Sequence, residues 1–321
     1  MSHPHRPTGI CVVGSINLDT TFGVPHVPRP GETVLTLRKS VGSGGKGANQ
    51  AVAAASRGSK VAFLACVGDD PEGTFVLDAL MRRGVEVKNV RTVAGAATGT
   101  AMVLVAPDGE NVIVVDRGAN SELDGAHVEA YLRSHSPAVV MAQLETNLDA
   151  VLAAAKSTHG TFILNPAPMT AHPSALAEIL RYTDVLVPNR TELGRLARAA
   201  TPATMPEIDG CVAGLDFGGH VIVTLGSDGV ALYEAGKANG AVLFDPVEVE
   251  TVDTSGAGDA FCGALGHELA AGRDLRTAVS RANQVAAWST TLHGAQITEG
   301  PYAAVIVDEK PNERRAGSCG T

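Results

Sequence analysis

Short, unbroken apolar runs recur along the chain, separated by stretches whose apolar residues return every three or four positions. The runs GICVVGS (9–15), KVAFLACVGDD (60–70), AVVMAQLE (138–145), TFILNPAP (161–168), DVLVPN (184–189) and the start of HVIVTLGSDGVALYE (220–234) predict buried strands. Between them, ANQAVAAASRG (48–58), PEGTFVLDALMRRGV (71–85), NLDAVLAAAKSTHG (147–160), SALAEILRYT (174–183) and GAGDAFCGALGHELAAGR (256–273) predict helices. Strands alternating with helices form a parallel sheet covered on both faces, so the fold class is α/β. Two pieces break this rhythm. Residues 97–120 read as two strands around Pro-Asp-Gly-Glu-Asn, a β-hairpin, and the Pro-rich 22–34 belongs on the surface. Both are assigned to a small β subdomain beside the main sheet. Segment 201–220 carries no clear amphipathic helix, and the polar tail 308–321 is expected to be disordered.

Composition narrows the function. The chain has 321 residues, 45% of them apolar, enough for a sizeable core. With 4% aromatics and a net charge of −9, neither an aromatic nucleic-acid platform nor a polyanionic partner is expected. The five cysteines, Cys11, Cys66, Cys211, Cys262 and Cys319, form no C-x-x-C pair, which fits reduced thiols in the cytoplasm and no structural zinc. MSHPHRPTG is too polar and Pro-broken for a signal peptide, and no apolar run reaches the ~20 residues of a membrane helix.

Two glycine clusters carry the candidate chemistry. In SVGSGGKGANQAV (40–52), Gly42, Gly44 and Gly47 satisfy G-x-G-x-x-G, with TVLTLRK as the preceding strand and Asp69 and Asp70 as the later acids of a dinucleotide site. Lys46 sits awkwardly in that reading. It is followed by Gly47 rather than Ser or Thr, so the Walker reading fails. A bland turn leaves Lys46 and Asn49 unexplained, whereas a lysine and an amide on approachable backbone suit a polyhydroxylated ligand. In TVDTSGAGDAFCGAL (251–265), small residues at a helix start expose backbone N–H groups as an anion site, and Asp259 stands in the first turn beside it. An N-terminal helix acid is favourable by itself by about 0.3–1 kcal/mol. Beside an anion cradle, the same carboxylate becomes a general base aimed at an acceptor hydroxyl.

Both stretches together resemble the two signatures of the ribokinase-like (PfkB) carbohydrate kinases. GSINLD, RPGETV, GAN, QLE, LNPAP, PNRTE, TLGSDG and GAQ follow in the family order, over roughly residues 9–300. The resemblance implies a three-layer α/β/α domain with a mostly parallel sheet (1–16, 47–91 and 120–307) and a β-sheet lid (17–46 and 92–119). It also implies ATP-dependent phosphorylation of D-ribose at the 5-hydroxyl, with a deoxyribose, other-sugar or nucleoside kinase as the near alternative and a non-catalytic sugar sensor as the distant one. By this resemblance the first glycine loop holds the sugar and the second the phosphates.

The same resemblance assigns roles. Asn17, Asp19, Gly45, Lys46, Gly47, Asn49 and Glu145 match sugar contacts. Asp259 matches the base, with Gly256, Ala257 and Gly258 as its anion hole. Asn189, Thr224, Leu225, Gly226, Ser227, Asp228, Gly229, Gly258 and Asn283 match nucleotide contacts, and Arg190 is read as facing solvent. Glu192 matches a residue that orders Mg²⁺ through water. Asp253, Ser255, Ser289, Leu292, Gly294 and Thr298 match a K⁺ site built largely from backbone carbonyls. ATP, Mg²⁺ and K⁺ are thus the expected cofactors, and the lid is expected to pair two copies into a homodimer.

Overall fold

A computed structural model describes residues 9–169, 173–237, 240–297 and 313–315. The chain opens with β1 (Ile10–Val13), β2 (Asn17–Gly23), β3 (Arg38–Gly44) and α1 (Lys46–Ser56). Next come β4 (Val61–Gly68), α2 (Pro71–Arg82), β5 (Val90–Val93), β6 (Gly99–Val105) and β7 (Asn111–Asp116). Then follow α3 (Gly125–Ser134), β8 (Val139–Ala142), α4 (Leu148–Ser157), β9 (Thr161–Leu164), α5 (Pro173–Leu180), β10 (Val185–Leu186) and α6 (Arg190–Leu196). The last described elements are α7 (Met205–Ala213), β11 (His220–Thr224), β12 (Val230–Tyr233), β13 (Val242–Phe244), α8 (Ala257–Ala270), α9 (Leu275–Ser289) and β14 (Glu313–Arg315).

The large sheet runs β14-β13-β12-β11-β10-β9-β8-β1-β4-β5. It is parallel from β11 to β5, while β12, β13 and β14 add an antiparallel edge. β1 shows why its sequence lacks alternation. Ile10 and Val12 join a core with α1, α2, α8 and α9, while Cys11 and Val13 join a second core with α3, α4 and α5. A strand buried on both faces has no polar side to show. Each fully buried aliphatic contributes about 1.5–3 kcal/mol before entropy, so these two layers dominate the fold's stability.

The second sheet, β3-β2-β6-β7, stands apart, with β2 parallel to β6 and the outer pairs antiparallel. Asp70 pins it to the body. Its carboxylate caps α2 through Gly73 N at 2.7 Å and also accepts from Thr98 N (2.7 Å) and Thr98 Oγ1 (2.5 Å), immediately before β6.

Several expectations change. TVLTLRK is not the strand that precedes the first glycines. β3 spans Arg38–Gly44, so Gly42 and Gly44 lie inside a strand and only Gly45 turns the chain into α1, with φ 89°. Thr92 and Val93, expected in the lid, pair with Val67 and Gly68 in the large sheet. Segment 201–220 contains α7, whose Thr204–Glu207 capping box starts a helix in which Pro206 and Gly210 break the periodicity. Within the tail expected to be disordered, residues 313–315 form β14 against β13. Among the described residues no helix is long and apolar enough to cross a membrane.

Candidate active site

The carboxyl ends of β1, β8, β9, β10 and β11 converge with the N-termini of α1 and α8, where ligands of parallel sheets gather. α1 and α8 pack at backbone contact. A Cβ on Gly263 of α8 would stand 2.5 Å from the Ala53 Cβ of α1. This approach sets the first turn of α1 opposite the first turn of α8. Asp259, only 5% exposed, accepts from Asn49 Nδ2 on Oδ2 (3.0 Å) and from Gln50 Nε2 on Oδ1 (3.1 Å).

Gly256 caps α8 in the left-handed region, φ 72°, where a side chain would strike Ala295 O at 2.4 Å. Ala257 N, expected in the anion hole, is turned to Thr254 O at 3.3 Å. The N–H groups of Gly256, Gly258 and Asp259 accordingly remain without an acceptor among the described residues. A Cβ at Gly258 would meet nothing within 4 Å, so the helix start faces open space.

A cluster of charges surrounds Lys46, the first residue of α1. Glu145 Oε2 accepts from Ser15 Oγ (2.5 Å) and from Lys46 N (3.0 Å). The Lys46 ammonium is held above the usual lysine range by Asp259, against its own burial and with help from Glu145 and Glu192. Asp19 on β2 is pushed up to about 7 by burial, then by Glu145 and Asp259, with Lys46 opposing. Asn17 is fixed from behind, since its Oδ1 accepts from Asn120 Nδ2 at 2.8 Å and Asn120 also brackets Ile16 N and O.

Beside this cluster a cavity of about 710 Å³ is lined by Asn189, Thr224, Gly226, Ser227, Gly229, Gly258 and Asn283, with Val230, Val247, Val249, Phe261 and Ala286 as its apolar wall. Two expected nucleotide contacts do not line it. Leu225 is buried in a third core under α7, and Asp228 pairs with Arg190 at 2.6 Å. Arg190, expected to face solvent, instead bridges Asp228 to Ala203 O. A larger hollow of about 900 Å³ lies at the opposite edge of β9, β10 and β11, lined by Thr161, Arg181, Asp184 and His220. It is the bigger space, but Thr254, Ala257 and Gly258 at the start of α8 line the first cavity.

Asn189 and Glu192 cap α6 reciprocally, each accepting the other's N–H at 2.9 Å. Burial raises Glu192, opposed by the Asn189 amide and Lys46. One Glu192 oxygen is thus committed to the cap, which suits a metal held through water rather than directly. Asp253 draws two loops together, taking Ser255 N on Oδ1 and Gly294 N on Oδ2, both at 2.9 Å. These amides outweigh the burial that opposes its charge, holding Asp253 below the usual range. Ser289 Oγ donates to Ala286 O at 2.7 Å, and Ser289 O accepts from Leu292 N at 3.2 Å. Thr298 lies outside the described residues. No cluster of three His, Cys, Asp or Glu suited to a metal occurs among the described residues.

Ser15, Gln50, Asn120, Gln143 and Asn165 have no role in the sequence reading, yet each orients a predicted site residue or its neighbour. All five sit inside glycine-loop or short polar motifs already noted. A polar residue at the end of an apolar strand run was the available signal.

Comparison with known proteins places these residues in context. The profile of the pfkB family carbohydrate kinases matches residues 7–300. Ribokinase of Schizosaccharomyces pombe is 38% identical over 300 residues, covering 89% of this chain and 93% of that protein. The crystal structure of ribokinase from Thermotoga maritima superposes with a TM-score of 0.79 at 32% identity, over 90% of this chain and 95% of the other. The structure of Arabidopsis thaliana ribokinase complexed with ribose and ATP gives a TM-score of 0.78 at 29% identity, over 90% and 94%.

Proposed function

The chain belongs to the pfkB family of carbohydrate kinases, and on that premise we propose that it phosphorylates D-ribose at the 5-hydroxyl with ATP, releasing ribose 5-phosphate and ADP. The observation that carries this reading is Asp259, anchored through both oxygens at the start of a helix whose free amides face open space. Asp259 takes the proton of the primary hydroxyl as its oxygen forms a bond to the γ-phosphorus. The bond from that phosphorus to the β-bridging oxygen breaks, and ADP leaves. Gly256 and Gly258 N–H groups receive the charge that grows on the transferring group, aided by the helix dipole.

Sugar hydroxyls both donate and accept, and the cleft supplies both kinds of partner. Asp19 Oδ1 and Asn49 Oδ1 are buried without a protein partner, while Lys46 offers donors beside them. Mg²⁺ held by water on Glu192 and Asn189 would screen the nucleotide phosphates, and K⁺ between the Asp253 and Gly294 loops would steady the helix start. Closure of the small sheet over the sugar would exclude water and suppress ATP hydrolysis.

That sheet also supports a homodimer. On the face opposite Asp19, Val41, Thr20, Met102 and Val114 form one cross-strand row, with Met102 56% and Val114 63% exposed. A second copy is the partner proposed to cover it. The buried free thiols of Cys11, Cys66, Cys211 and Cys262 support a reducing, cytoplasmic setting.

ADP release measured with ribose, 2-deoxyribose and adenosine tests the substrate. Ribose is expected to give the highest kcat/KM. A preference for adenosine or deoxyribose overturns the assignment, and ribose binding without ADP formation in Mg²⁺ and K⁺ identifies a sensor.

A further inference from the structure

Behind the carboxylate of Asp259 lies a chain of side-chain amides, two buried and one half-buried, that the reaction does not touch. Gln50 Nε2 donates to Asp259 Oδ1 at 3.1 Å and to Asn165 Oδ1 at 3.2 Å. Asn165 Nδ2 donates to Val187 O at 2.8 Å, and Gln143 Nε2 donates to Gln50 Oε1 at 2.6 Å. Gln50 and Gln143 are fully buried, so no water competes for the Gln50–Asp259 and Gln143–Gln50 bonds. Gln143 is also wedged, since a Cβ on Gly14 would stand 2.2 Å from its Oε1.

The polarity of the chain follows from one group. A backbone carbonyl only accepts, so Val187 O fixes which end of the Asn165 amide faces it. Asn165 then presents its oxygen to Gln50, which must answer with its NH₂. The second hydrogen of that NH₂ falls on Asp259 Oδ1, and the Gln50 oxygen is left to Gln143. Three amides that could each flip are locked in one sense. Neither Gln50 Nε2 nor Asn49 Nδ2 can take a proton from Asp259 or share one with it. Both oxygens are therefore held as acceptors, each with a lone pair to spare.

We propose that Gln50, locked by Asn165 and Gln143, is the positioning residue that holds Asp259 as an oriented acceptor for the substrate proton. This rests on Asp259 being the base. Gln50 touches no reacting atom; it acts through Asp259 alone, and Asn165 and Gln143 act through Gln50.

The test uses the full-length protein with ribose, ATP, Mg²⁺ and K⁺. It compares Gln50→Leu, Asn165→Leu, Asp259→Asn and the double variant Gln50→Leu/Asp259→Asn. Thermal melts accompany each, and kinetics are read only below the melting transition. Gln50→Leu is expected to lower kcat about 10- to 100-fold, the cost of losing near-attack alignment, with both KM values within about twofold. Asn165→Leu is expected to lower kcat in the same way but less. In the Asp259→Asn background, Gln50→Leu is expected to change the residual rate less than about twofold. The proposal is overturned if Asp259→Asn is inactive while Gln50→Leu turns over normally. It is overturned equally if Gln50→Leu costs as much in the Asp259→Asn background, or if its effect lies in KM. Full turnover by Asp259→Asn removes the premise itself, a separate outcome.

Discussion

Gly44 of β3 lies directly over the carboxylate of Asp19 in β2. A Cβ built on Gly44 would stand 1.9 Å from Asp19 Oδ2. The glycine is there for space, and the space is filled by a carboxyl group. Gly44→Ala must push Asp19 aside or bend β3 away, and either displaces a sugar contact. The ribose KM is expected to rise at least tenfold while the ATP KM stays within about twofold. Steady-state kinetics varying each substrate in turn separates the two, and an unchanged ribose KM would show that Asp19 does not face the sugar.

Asp19 also gives the protein a pH dependence with a definite sign. Its folded-state value, about 7, lies above the unfolded 3.8. Between those values the folded chain binds the proton that the unfolded chain has released. Stability from this group is therefore lost as pH rises from about 4 to about 7. The ligand-free protein is expected to melt higher at pH 5.5 than at pH 8, and Asp19→Asn to shrink that difference. Turnover runs the other way. An ionised Asp19 accepts from sugar hydroxyls, so the ribose KM is expected to climb below pH 7. Melting curves and KM profiles on both proteins check the two signs, and identical profiles would exclude Asp19.

How much of this was legible beforehand depended on the range of the interaction. β1, β4, β8 and β9 announced themselves because strands buried on both faces read as unbroken apolar runs. The pairing of 99–105 with 111–116 was legible because a hairpin is local. α7 was not, since its capping box is a four-residue signal inside Pro- and Gly-interrupted sequence. The placement of Asp259 at a glycine-flanked helix start was legible because these residues adjoin in the chain. Gln50 was not, because its meaning comes from residues 93 to 209 positions away. Leu225 and Asp228 show the reverse error: a turn motif names its residues without saying which way each side chain points.

Gly258 separates folding from catalysis. It lies in the first turn of α8, yet a methyl there meets no protein atom within 4 Å. Gly258→Ala should leave the melting temperature equal or higher, because alanine favours helix by about 0.8–1 kcal/mol. The methyl instead enters the space assigned to the transferring phosphoryl group. kcat/KM for ATP is expected to fall about 100-fold in a protein at least as stable as the parent. A stable, fully active Gly258→Ala would place the phosphates elsewhere.

The apolar row on the small sheet makes a prediction about assembly. Met102 and Val114 are direct cross-strand partners, so replacing both with glutamate sets two like charges side by side on the proposed interface. The double variant Met102→Glu/Val114→Glu is expected to sediment as a monomer where the parent sediments as a dimer. A parent that is monomeric at micromolar concentration would refute the dimer, and a dimeric variant would move the interface to another surface.

Glu268 tests the frame on which the site is mounted. Its side chain, 3% exposed near the end of α8, faces Arg57 at the close of α1 and Arg281 on α9, both at 3.3 Å, with Arg273 at 3.9 Å. One carboxylate thus joins the three helices whose packing brings Asn49 and Gln50 to Asp259. Removing it takes from Arg57, Arg281 and Arg273 the carboxylate they share. Breaking a buried pair from one side costs about 3–5 kcal/mol, so Glu268→Ala is expected to melt many degrees lower. The chemistry should survive at low temperature, because nine residue steps along α8, about 13.5 Å, separate Glu268 from Asp259. Thermal melts alongside kcat at 15 °C measure both. A variant with parental stability would reduce the cluster to surface decoration. A stable variant with collapsed kcat would tie the ion network to the base.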